Sequence, residues 1–319
     1  MNTNSFFKSP WLIGGAAAIV IFALCFWAIN QVSKQPADEG PKVEKAVIAT
    51  MQTNPELMAI ARQQGWIGPD ALEMTTIDAK KVTDIGTVFQ GSALKHFEEF
   101  RHFVGITEIK ADAFRGCEAL TTLVIPQRVA SIAYGALAGC PALTQLSVDT
   151  ASTHYDSRND CNAIICTWKG KLMVVAGSAA TVVPADVRYI APQAFSGCTA
   201  LAALALPERM EEIGERAFSG CTALQTIDIP QGVKRIEPSA FAGCTALHTV
   251  SLPKSLNELA DSAFAGCTAL QTIRCPKRYP PHLRRAFDTY GATVVVPAGK
   301  AAAYRRAPGW KNFRNIREE

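Results

Sequence analysis

AFSGCTAL at 194–201 and again at 217–224, then AFAGCTAL at 240–247 and at 263–270, are four near-identical octets, each starting 23 residues after the last. A fixed period in the twenties is the signature of a solenoid, in which each unit buries its apolar face only against its neighbours. Between octets the pattern is equally regular. Leu224, Ile227 and Ile229 end in a short run of alternating apolar residues, which reads as a strand, and Pro230 stops it. Proline recurs in that phase at Pro126, Pro184, Pro207, Pro253 and Pro276. It cannot donate to a ladder, so it belongs at a strand end. Val233 and Ile236 supply a second inward apolar pair. A short helical turn is expected next, with Pro192 and Pro238 in its first turn and Asp112 and Asp261 as caps. It carries the buried phenylalanine, and Gly197, Gly220, Gly243 and Gly266 end it with a positive φ.

The phase extends beyond the octets. AFRGCEAL (113–120) and ALAGCPAL (136–143) are two further copies, the second with Leu137 in the phenylalanine position. Phe97 and Phe100 stand 23 residues before Leu120 and Leu123, which makes 97–109 a degenerate coil. Val294, Val295 and Val296 before Pro297 give one more strand. The phase then jumps 58 residues from Leu137 to Phe195, two periods plus twelve. The extra length falls at 150–180. There, 162–168 and 172–176 flank Lys169-Gly170-Lys171 and read as a β-hairpin projecting from the solenoid.

These features resemble the BspA-like leucine-rich-repeat family of bacterial surface proteins known from Bacteroides-type anaerobes. Besides the repeat, YDSRNDCNAII (155–165) is similar to that family's interruption and VVVPAGKAAAYRRAPGWKNF (294–313) to its closing segment. The resemblance covers about 77–316 and implies a curved solenoid, export, and adhesion or protein binding without catalysis. The expected fold is α/β: a leucine-rich-repeat solenoid with a parallel sheet on one face and short helical turns opposite, preceded by one N-terminal transmembrane helix. The expected order is a tail (1–10), the membrane anchor (11–29), a linker (30–53), an N-terminal helix and degenerate capping coil (54–96), the solenoid (97–276) with its hairpin at 150–180, and a basic cap (277–319).

The anchor rests on residues 11–29, an uncharged run of 19 residues with Trp11 and Trp27 near its ends. A cleaved signal peptide is the rival reading, but Lys8 is the sole basic side chain before the run and no small-x-small site follows it. Asn54-Pro55 reads as an N-cap with proline at N1, and Leu57, Ile60 and Ala61 give helical spacing up to Gly65.

Net charge is +4, too mild to argue for nucleic acid, and no nucleic-acid partner is expected. Residues 277–319 hold ten Lys/Arg against three Asp/Glu. That cap is read as a solvated end, with lipid headgroups or anionic polymers as the functional alternative. Six of the ten cysteines (117, 140, 198, 221, 244 and 267) share one phase. A row stepping along a solenoid cannot converge on a metal or pair its Cβ atoms, so these are read as buried packing residues. His154 with Asp156 and Cys161 is the sole cluster that can be drawn as a nucleophilic site, and a polar loop is the preferred reading. Asp156, Asn159 and Asp160 match no calcium loop. No cofactor, metal or catalytic residue is assigned.

What remains is surface. The residues facing out of the strands give a shallow, polar face with no sign of a deep pocket. Candidate partner contacts are His154, Tyr155, Asp156, Arg158, Asp160, Trp168, Lys169 and Lys171 on the insertion, and Thr226, Asp228, His248, Thr249 and Arg274 on the sheet. The expected function is a non-enzymatic, membrane-anchored repeat protein of the bacterial envelope, with its repeats periplasmic or surface-exposed. It would hold the lipid bilayer through 11–29 and bind another macromolecule, a protein, in adhesion or envelope interaction. The alternatives are a structural or assembly component of the envelope and an enzyme using the insertion loop.

Overall fold

The computed structural model describes residues 45–319. The apolar run at 11–29, and with it the expected anchor, lies outside the described residues. Among those described, no helix is long and apolar enough to cross a membrane.

A regular coil has two short strands and an outer turn. In one coil the strands are Thr226–Asp228 and Arg235–Ile236. Stacked coils pair them in parallel with like positions in register. Thr226 faces Thr249, which faces Thr272, which faces Thr293. In the second row Arg235 faces Glu258, which faces His282. The period of two along a strand sends Ile227, Val250 and Ile273 into the core and their neighbours outward. The Pro230 carbonyl accepts the Val233 N–H at 3.1 Å, and Pro207–Met210 and Pro253–Leu256 repeat the contact. The proline thus ends the first strand and opens the turn to the second.

The outer turns are not helical, contrary to expectation. Two left-handed residues bracket each Ala-Phe pair, Ser239 (φ 55°) and Gly243 (φ 73°) in one coil, Arg216 (φ 53°) and Gly220 (φ 76°) in the coil before. A helix cannot propagate through such residues. Instead the turn N–H groups reach the next coil: Phe218 to the Ala240 carbonyl at 2.8 Å, and Gly220 to Ala242 at 2.7 Å. Asp112, expected as a cap, is itself left-handed (φ 61°). Asp261 serves the neighbouring turns, its carbonyl accepting from Ser239 and its carboxylate from the Arg285 N–H.

Two columns fill the core behind these turns. Phe195, Phe218, Phe241, Phe264 and Phe287 are buried and stacked, with centroids 5.1–5.3 Å apart and planes within 11° of parallel. Beside them, three thiols donate to the phenylalanine carbonyl of the preceding coil: Cys221 to Phe195 at 3.1 Å, Cys244 to Phe218 and Cys267 to Phe241 at 3.2 Å. Cys140 does the same to Phe114 at 3.1 Å. The repeat therefore uses cysteine both as a small buried side chain and as a weak donor to a buried carbonyl. Burial pushes the thiols of Cys198, Cys244 and Cys267 up to about 12.

Both ends of the solenoid reach further than expected. Residues 47–50, assigned to the linker, form the strand Val47–Thr50, antiparallel to Glu73–Thr75. Helix Pro55–Gln63 follows, with the Asn54 side chain accepting from the Leu57 N–H, and it buries Leu57, Met58 and Ala61 against the first coil. In that coil Phe97, not Phe100, pairs with Leu123, and Phe89 stacks on Phe114 at 5.4 Å. This coil is longer than the repeat, which is why a fixed period misaligns it. At the other end Thr293–Val296 and Asn315–Glu318 continue the parallel sheet into the basic segment. Trp310 and Tyr304 are fully buried there. The Trp310 indole donates to the Pro281 carbonyl at 2.8 Å, and the Tyr304 hydroxyl to that of Lys277 at 2.9 Å.

The insertion does not project. Ala163–Trp168 and Lys171–Gly177 form an antiparallel hairpin, closed by Lys169 (φ 48°) and Gly170 (φ 73°). Its second strand then pairs in parallel with Val187–Ile190, which pairs with Glu212–Ile213. Ala163, Ile164, Ile165 and Val174 are buried in the common core. The hairpin has become two strands of the second row, because its inward face is apolar along its whole length. Nor does it add coils to the outer turns. Gly139 donates directly to Ser196 at 2.8 Å, so the 58-residue phase gap is one enlarged coil.

Candidate functional site

The structure separates the insertion residues into those that hold the fold and those that remain outside it. Tyr155 is half-buried, and its hydroxyl accepts the Ile132 N–H at 3.0 Å. Ser157 Oγ likewise accepts from Val148 at 2.8 Å. Ile132 and Val148 are where the two parallel rows stop, so these side chains satisfy strand N–H groups that the next coil would otherwise take. Asp156 exchanges backbone hydrogen bonds with Ile165, and its carboxylate meets Arg158 Nη2 at 2.5 Å. The guanidinium holds the Asp156 carboxyl below its ordinary value. Arg158 also reaches Asp186 at 3.4 Å.

Lys171, near the hairpin tip, is held at 2.6 Å by Glu211, which lies two strands along the second row. Tyr189 OH donates to the same carboxylate at 3.2 Å and Arg188 lies 3.7 Å from it. The hydrogen bond from Lys171 lowers the Glu211 carboxyl. This cluster staples the hairpin to the solenoid. Sequence reasoning does not find Glu211, whose place in the repeat says nothing about the hairpin that reaches it. His154, Asp160 and Lys169 are exposed. Trp168 and Lys169 sit at the hairpin turn. His154 Nδ1 is 3.1 Å from Thr153 Oγ1. Cys161 is buried, and burial raises both its thiol and that of Cys166, the latter to about 11. That is the opposite of what a nucleophilic thiol needs.

The sheet residues form a different surface. Thr226, Asp228 and Arg274 are exposed, Thr249 and His248 partly so. The strand pairing sets Asp228, Ser251 and Arg274 side by side on three successive coils. At their side runs a groove of about 660 Å³, floored by Ile229, Leu252, Cys275 and Val296 and edged by the proline column. Glu208, Lys254 and Glu319 also line it. Arg274 meets Glu319 at 3.4 Å. The expected shallow face thus carries a groove along one side. It arises because residues on either side of each proline turn toward one another when coils stack. The signal for it lies in the residue after each proline, read down the column: Glu208, Gln231, Lys254. The insertion contacts and the sheet contacts are two surfaces rather than one site. Among the described residues, no group of three or more His, Cys, Asp or Glu side chains is placed to hold a metal ion.

No curated protein matches the chain in sequence. Among solved structures, a leucine-rich cell surface protein of Faecalibacterium prausnitzii is 25% identical, with a TM-score of 0.49, over 67% of this chain and 52% of its own. A leucine-rich repeat protein of Bacteroides ovatus is 22% identical over 67% of this chain and 64% of its own, with a TM-score of 0.38. One of Eubacterium ventriosum is 22% identical over 54% and 53%, with a TM-score of 0.44. The chain thus spans about half the length of the first and last of these. The model of the BspA type leucine rich repeat region matches in six copies over residues 74–161 and 179–289, more than half of the sequence, and the chain belongs to that family.

Proposed function

We propose that this chain is a non-enzymatic repeat protein of the bacterial envelope that binds another macromolecule, a protein, through its sheet face. The observation that carries the reading is the in-register column Asp228, Ser251 and Arg274 beside an open groove. The repeat's hydrophobic and thiol columns are buried, while this column carries unlike residues that packing does not require. Loops and surfaces of variable chemistry on a rigid scaffold are where repeat proteins place recognition. The exposed insertion residues His154, Asp160 and Lys169 form a second contact surface in this reading. The envelope location rests on the apolar run at 11–29.

The test is capture of envelope proteins by the full chain and by two variants, one reversing charge at Asp228 and Arg274 and one neutralising Asp160 and Lys169. Loss of a retained partner with either variant is the expected result. A partner indifferent to both, or no partner, defeats the reading. Deleting the insertion is not a usable control, because its apolar strands belong to the core. Fractionation with protease shaving of intact cells checks the location, and recovery of the full chain in the soluble cytoplasmic fraction would overturn it.

A further inference from the structure

The groove beside the sheet has a charge polarity that the rest of the face lacks. Glu208 and Asp228 line one end, on adjacent coils, and Lys254 and Arg274 line the other. Glu208, Asp228 and Lys254 form no ion pair with any described residue, whereas Arg274 shares its charge with Glu319 at 3.4 Å across an exposed pair. Exposed pairs of that kind contribute little and open readily. The acidic and basic ends are therefore available to a ligand. Asp228 and Arg274 are two coils apart in register. At ~4.8 Å per strand step that is roughly 10 Å. Glu208 and Lys254 hold the same relation one coil earlier, through Gln231. Between the ends the floor is aliphatic and proline-edged, and no aromatic ring lines the groove.

We propose that this groove binds an extended peptide segment lying across the strands, with a basic side chain at Glu208 and Asp228 and an acidic one at Lys254 and Arg274. This rests on the protein-binding reading above and names the ligand class for that surface. An extended chain in the polyproline II form rises about 3.1 Å per residue and presents the same face every third residue. The two charged side chains therefore sit about three positions apart, with apolar residues between them against Leu252 and Cys275. The volume, about 660 Å³, is within the range of small-ligand and short-peptide clefts. A carbohydrate is the less fitting occupant, since the groove offers no ring for stacking. A nucleic acid would meet the carboxylates of Glu208 and Asp228.

The probe is a fluorescent hexapeptide, Gly-Lys-Val-Val-Glu-Gly with blocked ends, measured by polarisation against the full chain. Two controls carry Gln in place of Lys or of Glu. The parent peptide is expected to bind at least tenfold more tightly than either control. The Glu208→Gln/Asp228→Asn double variant should erase the preference for Lys while keeping that for Glu, and Lys254→Gln should do the converse. All three positions are exposed, so the variants keep the wild-type melting curve. Equal binding of the three peptides, no binding at millimolar concentration, or preferences that survive both variants overturn the proposal. Should a macromolecular partner still be lost on charge reversal at Asp228 and Arg274 while these peptides fail, the peptide inference falls and the binding reading stands. Selective peptide binding without any captured partner upholds the peptide groove and removes the support for a macromolecular partner.

Discussion

Gly139 donates its backbone N–H to the Ser196 carbonyl at 2.8 Å, across the whole of the insertion. The outer turns on either side of the interruption are thus consecutive rungs. The contact is tight enough that a Cβ on Gly197 would stand 2.7 Å from the Gly139 Cα. The insertion bulges into the sheet side alone. There it replaces strands and caps the row edges at Ile132 and Val148 with Tyr155 and Ser157.

The seam on the core side is Gly177. Its N–H donates to the Ala194 carbonyl at 2.9 Å, and a Cβ there would lie 2.1 Å from the Phe195 ring. Gly177→Ala is expected to destabilise by ~1–3 kcal/mol, the scale of overpacking a filled core. Urea denaturation measures it. Gly170→Ala at the exposed hairpin turn meets no neighbouring atom within 4 Å and adds only the strain of its φ of 73°. A Gly177 variant no weaker than the Gly170 variant would show that the ring does not sit against this backbone.

Phe241 lies between Phe218 and Phe264 with both centroids 5.2 Å away. Phe241→Ala should cost ~3–5 kcal/mol, the usual scale for a buried phenylalanine. An unchanged thermal midpoint would remove the phenylalanine column from the core.

The thiol column gives a pH signature. The Cys198, Cys244 and Cys267 thiols, raised to about 12 by burial, stay protonated in the folded chain while unfolded thiols ionise near 9. A raised folded value contributes stability below the unfolded value, and that contribution fades as pH rises from about 9 through 12. Denaturation midpoints should therefore fall above pH 9, and less steeply in a Cys244→Ala variant than in the parent. At pH 8 a thiol reagent should leave Cys198, Cys221, Cys244 and Cys267 unmodified until denaturant is added. Rapid labelling of the native column would contradict the geometry.

Asp156 and Arg158 carry the opposite sign. The folded Asp156 carboxyl lies below its ordinary value of 3.8, chiefly through the hydrogen bond from Arg158. A lowered value contributes stability above the unfolded value, lost as pH falls through the folded one. Asp156→Asn should destabilise the chain at pH 7 and make no difference once the carboxylate is protonated, well below pH 3.8. A deficit that persists unchanged in acid would show that the pair does not act through charge.

Much of this architecture is legible in the chain itself. Local identity at a fixed period places Phe218, Cys221, Leu224, Ile227 and Pro230 on equivalent rungs, and a rung can bury those side chains only against its copies. The period settles the parallel register, the inward residues and the left-handed glycines without any coordinate. It cannot settle what happens where the period fails. The 58-residue gap fits one additional coil plus twelve residues or a single enlarged coil equally well by counting. The contact between Gly139 and Ser196 chooses the second. A helical turn is a fair expectation from Pro238 and the caps, but Ser239 and Gly243 hand the turn's N–H groups to the next coil. The candidate contacts divide for the same reason. Tyr155 and Lys171 look like free polar residues in sequence because their partners, Ile132 and Glu211, become neighbours only after folding. The groove, too, exists only between coils. The sequence alone determined the repeating unit, because one rung's burial is a local matter. The tertiary structure alone decided which polar residues are consumed by the fold and which remain to meet a partner, because that depends on distances between rungs.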